Sequence, residues 1–268
     1  MNRRDILQDL TAAGTSPVSG QTLAEKYGVS RNAVWKAVRA LQRDGYPVSA
    51  VGKKGYILQP GADILSEDEI RPLLGEASAD MDIRIFRTID STNAEARRMV
   101  HAGCSGECMI LTDTQTKGRG RAGHVFYSPP LTGLYFTLLL RPGACIGQMA
   151  HVSHAAGVAV CQAVLDLTGI RLQIRSVNDL YLGSRKVGGI LSEAFSEDLE
   201  SRQISGLVIG IGINLTTEIF PDTLKDRASS LMTRVPRSQL AAAITNRYKE
   251  IELSDAESLG ELYAVWHS

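Results

Sequence analysis

The segment Thr114–His124, TQTKGRGRAGH, concentrates residue types that suit an anion. Within it, Lys117–Gly123 holds three glycines, two arginines and one lysine. Glycine weakens helices and strands, so this composition makes a poor scaffold element. Backbone amides together with Arg119 and Arg121 suit a loop that folds over a phosphate or carboxylate. The alternative is a solvated basic loop between two strands, and the segment lacks the spacing of a P-loop.

Three further segments carry polar groups suited to a ligand. Asp90–Asn93, DSTN, places hydroxyl and amide groups at a predicted helix start, where they hold a polar ligand or cap the helix. Thr92 and Glu95 have the spacing of a capping box. Lys186 lies beside a glycine pair in SRKVGGIL at the predicted mouth of a strand, although lone lysines are usually solvated. GIGIN ends an apolar strand on Asn214, and its GxG is not a dinucleotide fingerprint.

Alternating helical and extended patterns from residue 80 onward predict an α+β domain that positions these groups. Several connections are too short for parallel crossovers, which predicts a mixed sheet. The pattern predicts strands at 82–89, 108–115 and 133–142, helices at 90–103 and 149–169, three more strands within 172–196 and 204–216, and helices after 235.

Residues 1–60 read as a small basic winged helix-turn-helix. They carry nine Lys/Arg and four Asp/Glu, against 20 and 25 in the remainder. Gly28 closes one short helix, Ser30 opens the next, and two β-prone runs flank a turn at Gly52–Gly55. DNA binding is predicted, with protein binding alone as the alternative. The candidate contact residues are Ser30, Arg31, Asn32, Trp35, Lys36, Arg39, Lys53 and Lys54.

Bulk composition is that of an ordinary globular protein. The 268 residues are 44% hydrophobic and 22% charged, enough for one large domain or two smaller ones. No apolar run approaches the roughly 18–20 residues that cross a bilayer. The start, MNRRDILQDL, lacks a signal-peptide core, so a cytoplasmic protein with no membrane partner is expected. The four cysteines show no paired spacing and predict reduced thiols, and His151 and His154 predict helix packing rather than a metal site.

Together these motifs resemble the biotin protein ligases, specifically the bifunctional kind that also represses the biotin operon. The matching segments are GVSRNAVWKAV, KKGYIL, DSTN (90–93), QTKGRGRAG (115–123), NDLYL and RKVGGIL (178–191) and GIGIN (210–214). The resemblance covers essentially the whole chain. It implies a winged helix-turn-helix at 1–60, a linker at 61–79 and a class II synthetase-like biotin/lipoate ligase catalytic domain at 80–268.

The resemblance also implies an activity, that of a biotin–[acetyl-CoA-carboxylase] ligase. Biotin and ATP with Mg²⁺ would give biotinyl-5′-AMP, and a lysine of a biotin carboxyl carrier domain would then accept the biotin. A ligand-linked homodimer would bind operator DNA and repress genes of biotin synthesis.

Individual roles follow from the same resemblance. Lys186 and Arg119 would be catalytic, and Asp179 would help to place Mg²⁺. The implied biotin-binding residues are Ser91, Thr92, Asn93, Gln115, Gly118, Arg119, Gly120, Arg121 and Lys186. The implied ATP or adenylate contacts are Arg119, Arg121, Asn178, Asp179 and Asn214.

Two departures from the family pattern leave a second hypothesis open. The family usually reads K-W-P-N-D where this chain has Arg175-Ser176-Val177 before Asn178, which removes an aromatic packing surface and a rigid turn. Family members also continue past ELYAVWHS as an SH3-like barrel, so that domain is expected to be absent. The alternative is a biotin- or adenylate-sensing repressor with weak or lost ligase activity. A lipoate ligase-like enzyme fits less well, because of the DNA-binding module.

Overall fold

The computed structural model describes residues 3–141, 149–176, 178–195, 206–252 and 255–267. The chain divides into two compact units, Met1–Asp63 and Ile64–Ser268. The smaller unit contains helices α1 (Arg3–Ala12), α2 (Gly20–Tyr27) and α3 (Arg31–Arg43) and strands β1 (Val48–Ala50) and β2 (Tyr56–Leu58).

Local sequence explains the smaller unit. Gly28 ends α2 in the left-handed region with φ of 62°, and the Ser30 hydroxyl caps α3 by accepting from the Ala33 amide. The apolar stripe of α3 is buried on α1 and α2, while β1 and β2 pair antiparallel and form the wing. The predicted helix-turn-helix and wing are confirmed.

The larger unit contains the remaining elements. Its helices are α4 (Glu67–Ile70), α5 (Thr92–His101), α6 (Met149–Thr168), α7 (Arg237–Ile251) and α8 (Ala256–Trp266). Its strands are β3 (Asp82–Ile89), β4 (Cys108–Gln115), β5 (Gly133–Leu140), β6 (Gln173–Arg175), β7 (Asp179–Leu182), β8 (Arg185–Phe195) and β9 (Gly206–Asn214).

The seven strands of the larger unit form one sheet in the order β3-β4-β5-β9-β8-β7-β6. The β3–β4 pair is parallel and the other pairs are antiparallel, which confirms the mixed α+β sheet. The expectation of three strands within 172–196 and 204–216 was wrong, because there are four. The missed strand, β6, has three residues, too few for an alternating pattern to register.

Helices cover both faces of this sheet. The larger core lies under α6, α7 and α8, and the smaller core lies under α5. Residues of β9 alternate between these faces, so Ile209, Ile211 and Ile213 enter the larger core while Gly210 and Gly212 face the side of α5. The glycines leave room on that side for a cavity.

Most of the segment expected to be a linker, 61–79, packs within the larger unit. Ile64, Leu65 and Ile70 are buried, and α4 contacts α7. Its apolar side chains gain more from burial in this core than they would in an exposed linker. The division between the units therefore falls after Asp63.

Two further expectations concern the cysteines and the histidines of α6. Cys104, Cys108 and Cys161 are free thiols, and Cys145 lies outside the described residues. His154 stacks on Tyr263 with ring centroids 3.9 Å apart, between α6 and α8. No helix in the described part of the chain is long and apolar enough to cross a membrane.

Candidate active site

A cleft of about 470 Å³, measured out to its open mouth, lies on the α5 side of the sheet. Ten of the residues predicted for biotin or the adenylate line it: Ser91, Thr92, Asn93, Gln115, Arg119, Gly120, Arg121, Asn178, Asp179 and Lys186. Segments far apart in sequence therefore converge on one cavity.

The start of α5 forms one wall. Ser91 is the N-cap, its hydroxyl accepting from the Ala94 amide, so the expected capping box of Thr92 and Glu95 was wrong. Thr92 is turned inward instead, and both its amide and its hydroxyl donate to Gln115 Oε1, at 2.9 and 3.2 Å. This arrangement fixes the Gln115 amide beside the cavity.

Asp90 anchors the same helix start. Arg98 donates two hydrogen bonds to its carboxylate, and the Ser91 amide donates a third. Hydrogen bonding to Arg98 and the Ser91 amide lowers the pKa of Asp90 to about 2, so its charge persists at any physiological pH.

The Gly/Arg segment, 117–124, forms a short ribbon rather than an open anion cradle. The Phe126 amide donates to Gly118 O and the Gly120 amide to His124 O, with a tight turn at Ala122 and Gly123 in positive φ. Some of the amides expected to meet an anion are therefore used within the ribbon. The guanidinium groups of the exposed Arg119 and Arg121 supply the charge at the cleft.

Lys186 lies opposite the start of α5, at the second position of β8. Its Nζ lies 2.6 Å from Asp179 Oδ1, so the ammonium is held over the cleft. Asn178 is buried, donates to Ile190 O at 2.6 Å and accepts from Arg121 Nη1 at 3.0 Å. Through Asn178, the Gly/Arg segment is attached to the turn before β7.

Glycines form the floor of the cleft, and sequence reasoning missed them as site residues. The Cβ of an alanine at Gly212 would lie 2.6 Å from the Phe126 ring, and one at Gly210 would lie 2.8 Å from Asn93 Cγ. Gly189 faces Gly212 across the β8–β9 pair. The sequence signal for this floor was the alternation of glycine with isoleucine in GIGIN. Glycine at every second position leaves one face of a strand without side chains.

Two predicted site residues lie outside the lining. Gly118 is buried, and a Cβ there would clash with Phe126 O and Ser128 Oγ, so it permits close packing. Asn214 Nδ2 donates to Ser229 O, whereas its buried Oδ1 has no hydrogen-bond partner in the described part of the chain. An orphaned buried acceptor is costly unless a ligand or water completes it.

The unusual turn before Asn178 has a local explanation. Ser176 adopts φ of 51°, its carbonyl accepts from Arg121 Nη1, and the Arg175 guanidinium stacks on Tyr181 at 4.7 Å. Arg175 therefore supplies its own packing partner where the family pattern has tryptophan next along the chain. Val177 lies outside the described residues.

The described residues contain no group of three or more metal-ligating side chains. Asp179 offers one carboxylate, and its Oδ1 is engaged by Lys186. A single free carboxylate oxygen fits a Mg²⁺ ion held mainly by phosphates, which commonly takes only one or two protein ligands.

The smaller unit carries a candidate nucleic-acid surface. The predicted contact residues are exposed, including Ser30, whose hydroxyl also caps α3. Trp35 is 50% exposed, which is unusual for so large an apolar side chain. The paired lysines Lys53 and Lys54 lie in the turn of the wing.

Two family models match the chain. The HTH domain matches residues 2–57, and the Biotin/lipoate A/B protein ligase family matches residues 85–214. The biotin protein ligase of Aquifex aeolicus, solved with biotin and ATP, is 29% identical with a TM-score of 0.54. That match covers 64% of this chain and 70% of the other.

Two relatives match over most of this chain. Bifunctional ligase/repressor BirA of Bacillus subtilis is 35% identical over 231 residues, covering 85% of this chain and 70% of the relative. The Escherichia coli protein of the same name is 29% identical, covering 92% and 76%. With both family segments present in the same order, the chain belongs to the bifunctional ligase/repressor family.

Proposed function

We propose that this protein is an ATP-dependent biotin–[acetyl-CoA-carboxylase] ligase that also acts as a DNA-binding repressor of biotin synthesis. The observation that carries the proposal is the cleft between α5 and β8. It brings three cations, Arg119, Arg121 and Lys186, to face the fixed polar groups of Thr92 and Gln115.

The first step joins two anions. The carboxylate of biotin attacks the α-phosphorus of ATP, a P–O bond forms, and pyrophosphate leaves with the electron pair of the broken bond. Arg119 and Arg121 offset the charge of the phosphates, and Lys186 Nζ stabilises the negative charge that grows on the transferring oxygens. Ser91, Thr92, Asn93 and Gln115 hold the cyclic urea, which fixes the carboxylate in attacking position.

The remaining contacts concern the nucleotide. Asn178 and Asn214 are proposed adenylate contacts, the latter through its unpartnered Oδ1. The free oxygen of Asp179 would bind Mg²⁺ that enters with ATP, where the ion offsets phosphate charge. Gly118 and Gly120 let the Gly/Arg ribbon lie close over the ligand and exclude water from the labile anhydride.

The second step and its regulation involve partners. The lysine amine of a biotin carboxyl carrier domain attacks the anhydride carbonyl, an amide forms and AMP leaves. Accumulated adenylate favours a homodimer, which binds operator DNA through α3 and the wing. Both activities are those of a cytoplasmic protein.

The decisive experiment is biotin-dependent exchange of labelled pyrophosphate into ATP. Lys186→Ala is expected to lower the exchange rate by about 10²-fold or more, because it removes the positive charge that stabilises the negative charge of the transition state. Lys26→Ala removes an exposed lysine of the smaller unit, paired with Asp9, and is expected to leave exchange unchanged.

The outcomes separate the two functions. Exchange that depends on Lys186, followed by labelling of a carrier domain, establishes the ligase. Biotin binding by calorimetry without any exchange would instead establish the sensing repressor.

A further inference from the structure

A buried tyrosine lies beside the floor of the cleft. Tyr135 is fully buried on β5 and pairs in register with Gly212, so the two residues share the face of the sheet on which the cleft lies. The Tyr135 ring packs edge-on against Phe126, which lines the cleft, with ring centroids 6.2 Å apart. A Cβ at Gly133 would lie 2.5 Å from the Tyr135 hydroxyl, so this glycine leaves the space that the hydroxyl occupies.

Three hydroxyl groups meet at the end of this side chain. Tyr135 Oη donates to Pro129 O at 3.1 Å, and because a carbonyl can only accept, the tyrosine oxygen stays an acceptor for its other neighbours. The hydroxyls of Thr132 and Thr217 lie 2.9 Å apart, and both hydrogen-bond with the tyrosine hydroxyl. Burial raises the pKa of Tyr135 to about 12, although these two hydrogen bonds oppose the rise, so the phenol stays protonated at any physiological pH.

These hydroxyls join two loops whose threonines are 85 residues apart. Thr132 immediately precedes β5, and Thr217 lies in the segment that follows β9 and Asn214. Thr132 O also accepts from the amides of Leu215 and Thr216, at 3.0 and 2.8 Å. Backbone hydrogen bonds therefore hold the first residues of this segment, and the hydroxyl cluster holds the segment one residue further on.

The segment held in this way leads from Asn214 to a second cavity. Asn214 O accepts from the Leu231 amide at 2.9 Å, and Asn214 Nδ2 donates to Ser229 O at 3.0 Å. Thr217, Phe220 and Ser229 all line this cavity. A shift of Thr217 would therefore move one wall of the cavity, next to the strand end that carries Asn214 Oδ1, which has no hydrogen-bond partner among the described residues.

We propose that Tyr135 is a positioning residue that, through Thr132 and Thr217, holds the segment after β9 in the shape that binds the nucleotide end of the adenylate. The inference rests on the proposed function, in which Asn214 contacts the nucleotide. Tyr135 lines neither cavity, so it acts on the ligand only through these neighbours.

Titration calorimetry with α,β-methylene-ATP at saturating biotin tests this role without turnover. Tyr135→Phe removes only the hydroxyl and is expected to raise the Kd for the ATP analogue about five- to tenfold, because the segment after β9 loses one hydrogen-bonded anchor. The Kd for biotin is expected to change less than about twofold, because the ring beside Phe126 remains. In pyrophosphate exchange, the KM for ATP is expected to rise while the rate at saturating ATP stays within about threefold of wild type, because Lys186 is untouched.

Variants of Thr217 test whether the effect follows the hydroxyl cluster. Thr217→Val is expected to weaken binding of the analogue comparably, and Thr217→Ser, which keeps the hydroxyl, is expected to recover most of the affinity. Added to Tyr135→Phe, Thr217→Val is expected to cause little further loss, because both changes break the same cluster. Independent, additive losses would overturn the proposal.

Further comparisons separate positioning from a folding defect. Tyr27→Phe removes a hydroxyl that donates to Asp9 Oδ2 at 2.8 Å in the smaller unit, and it is expected to leave both Kd values unchanged. Equal losses of biotin and analogue affinity in Tyr135→Phe would indicate a general structural role and overturn the proposal. If Tyr135→Phe does not fold, wild-type affinity for the analogue in Thr217→Val would overturn it.

The wild-type protein separates this inference from the function on which it rests. A wild-type protein that does not bind the analogue would refute the proposed function and this inference together. Normal binding of the analogue by wild type, with Tyr135→Phe equal to it, would refute the inference alone.

Discussion

At the residue scale, the floor of the cleft depends on the absence of side chains. Gly210→Ala is expected to lower biotin affinity at least tenfold, because the new Cβ would overlap the Asn93 amide, whose Cγ lies 2.8 Å away. Gly106→Ala, where a Cβ meets nothing within 4 Å, is the matched control. Calorimetry with biotin measures both, and equal affinities for the two variants would contradict the steric role of Gly210.

Whether a site residue could be predicted from the sequence depends on how far along the chain its contacts lie. Thr92, Gln115, Arg119 and Lys186 could be proposed because each lies in a compact motif that resembles a known family. The hydrogen bond between Asn93 and Glu193 could not, because the two residues are a hundred positions apart and only the folded sheet, with β8 paired to β9, brings them together. Side-chain direction in such a network is invisible in a linear pattern.

At the element scale, a buried ion pair joins α7 to β4. Arg237 Nη1 lies 2.8 Å from Asp113 Oδ1, and the two side chains are 1% and 8% exposed. Arg237→Met keeps the volume but removes the charge that faces a buried carboxylate. The free energy of unfolding is expected to fall by about 3–5 kcal/mol, as for other buried pairs that lose one partner.

Urea unfolding, followed by tryptophan fluorescence, measures that loss. Arg247→Met removes an arginine from an exposed pair with Asp166 at 2.9 Å and is expected to cost less than about 1 kcal/mol. Replacing Asp113 with leucine together with Arg237→Met is expected to restore part of the stability, because no uncompensated charge remains. A cost for Arg237→Met no larger than that for Arg247→Met would show that the pair contributes little.

Helices with clear caps were the most predictable elements. Gly28 ends α2 and Ser30 caps α3 as expected, since these capping roles depend only on the neighbouring backbone. Where a polar side chain has a tertiary partner, local rules fail, and Thr92 shows this by turning to Gln115 while Ser91 takes the cap. The three-residue strand β6 depends on β7 for its existence and has no local pattern of its own.

At the scale of the whole molecule, residues 1–60 carry an excess of positive charge. Variants that remove this charge are therefore expected to change DNA binding and leave pyrophosphate exchange unchanged. Lys53→Ala with Lys54→Ala is expected to weaken operator binding and to lower the slope of log affinity against log salt by about two, since each proposed phosphate contact contributes about one to that slope. Pyrophosphate exchange is expected to remain at the wild-type rate. Fluorescence anisotropy at several salt concentrations measures the slope.

Lys26→Ala is the control within the same unit, because Asp9 already balances that lysine at 2.5 Å. It is expected to leave the salt slope unchanged. A double wing variant with the wild-type slope would mean that the wing does not reach the DNA backbone. The charge difference between residues 1–60 and the remainder was visible in the sequence, whereas the packing of Ile64 and Leu65 into the larger unit was not.

The order of strands in the sheet also sets the order of events on the ribosome. β5 is buried along its whole length and pairs with β9, Gly133 meeting Asn214. Synthesis proceeds at about 5–20 residues per second, so β5 emerges seconds before the strand that completes its second edge. During that interval the nascent chain exposes an apolar unpaired edge, a template for aggregation. We therefore expect the larger unit to be exposed to association while it is being synthesised, whereas the smaller unit, built from short-range contacts, can fold as it emerges.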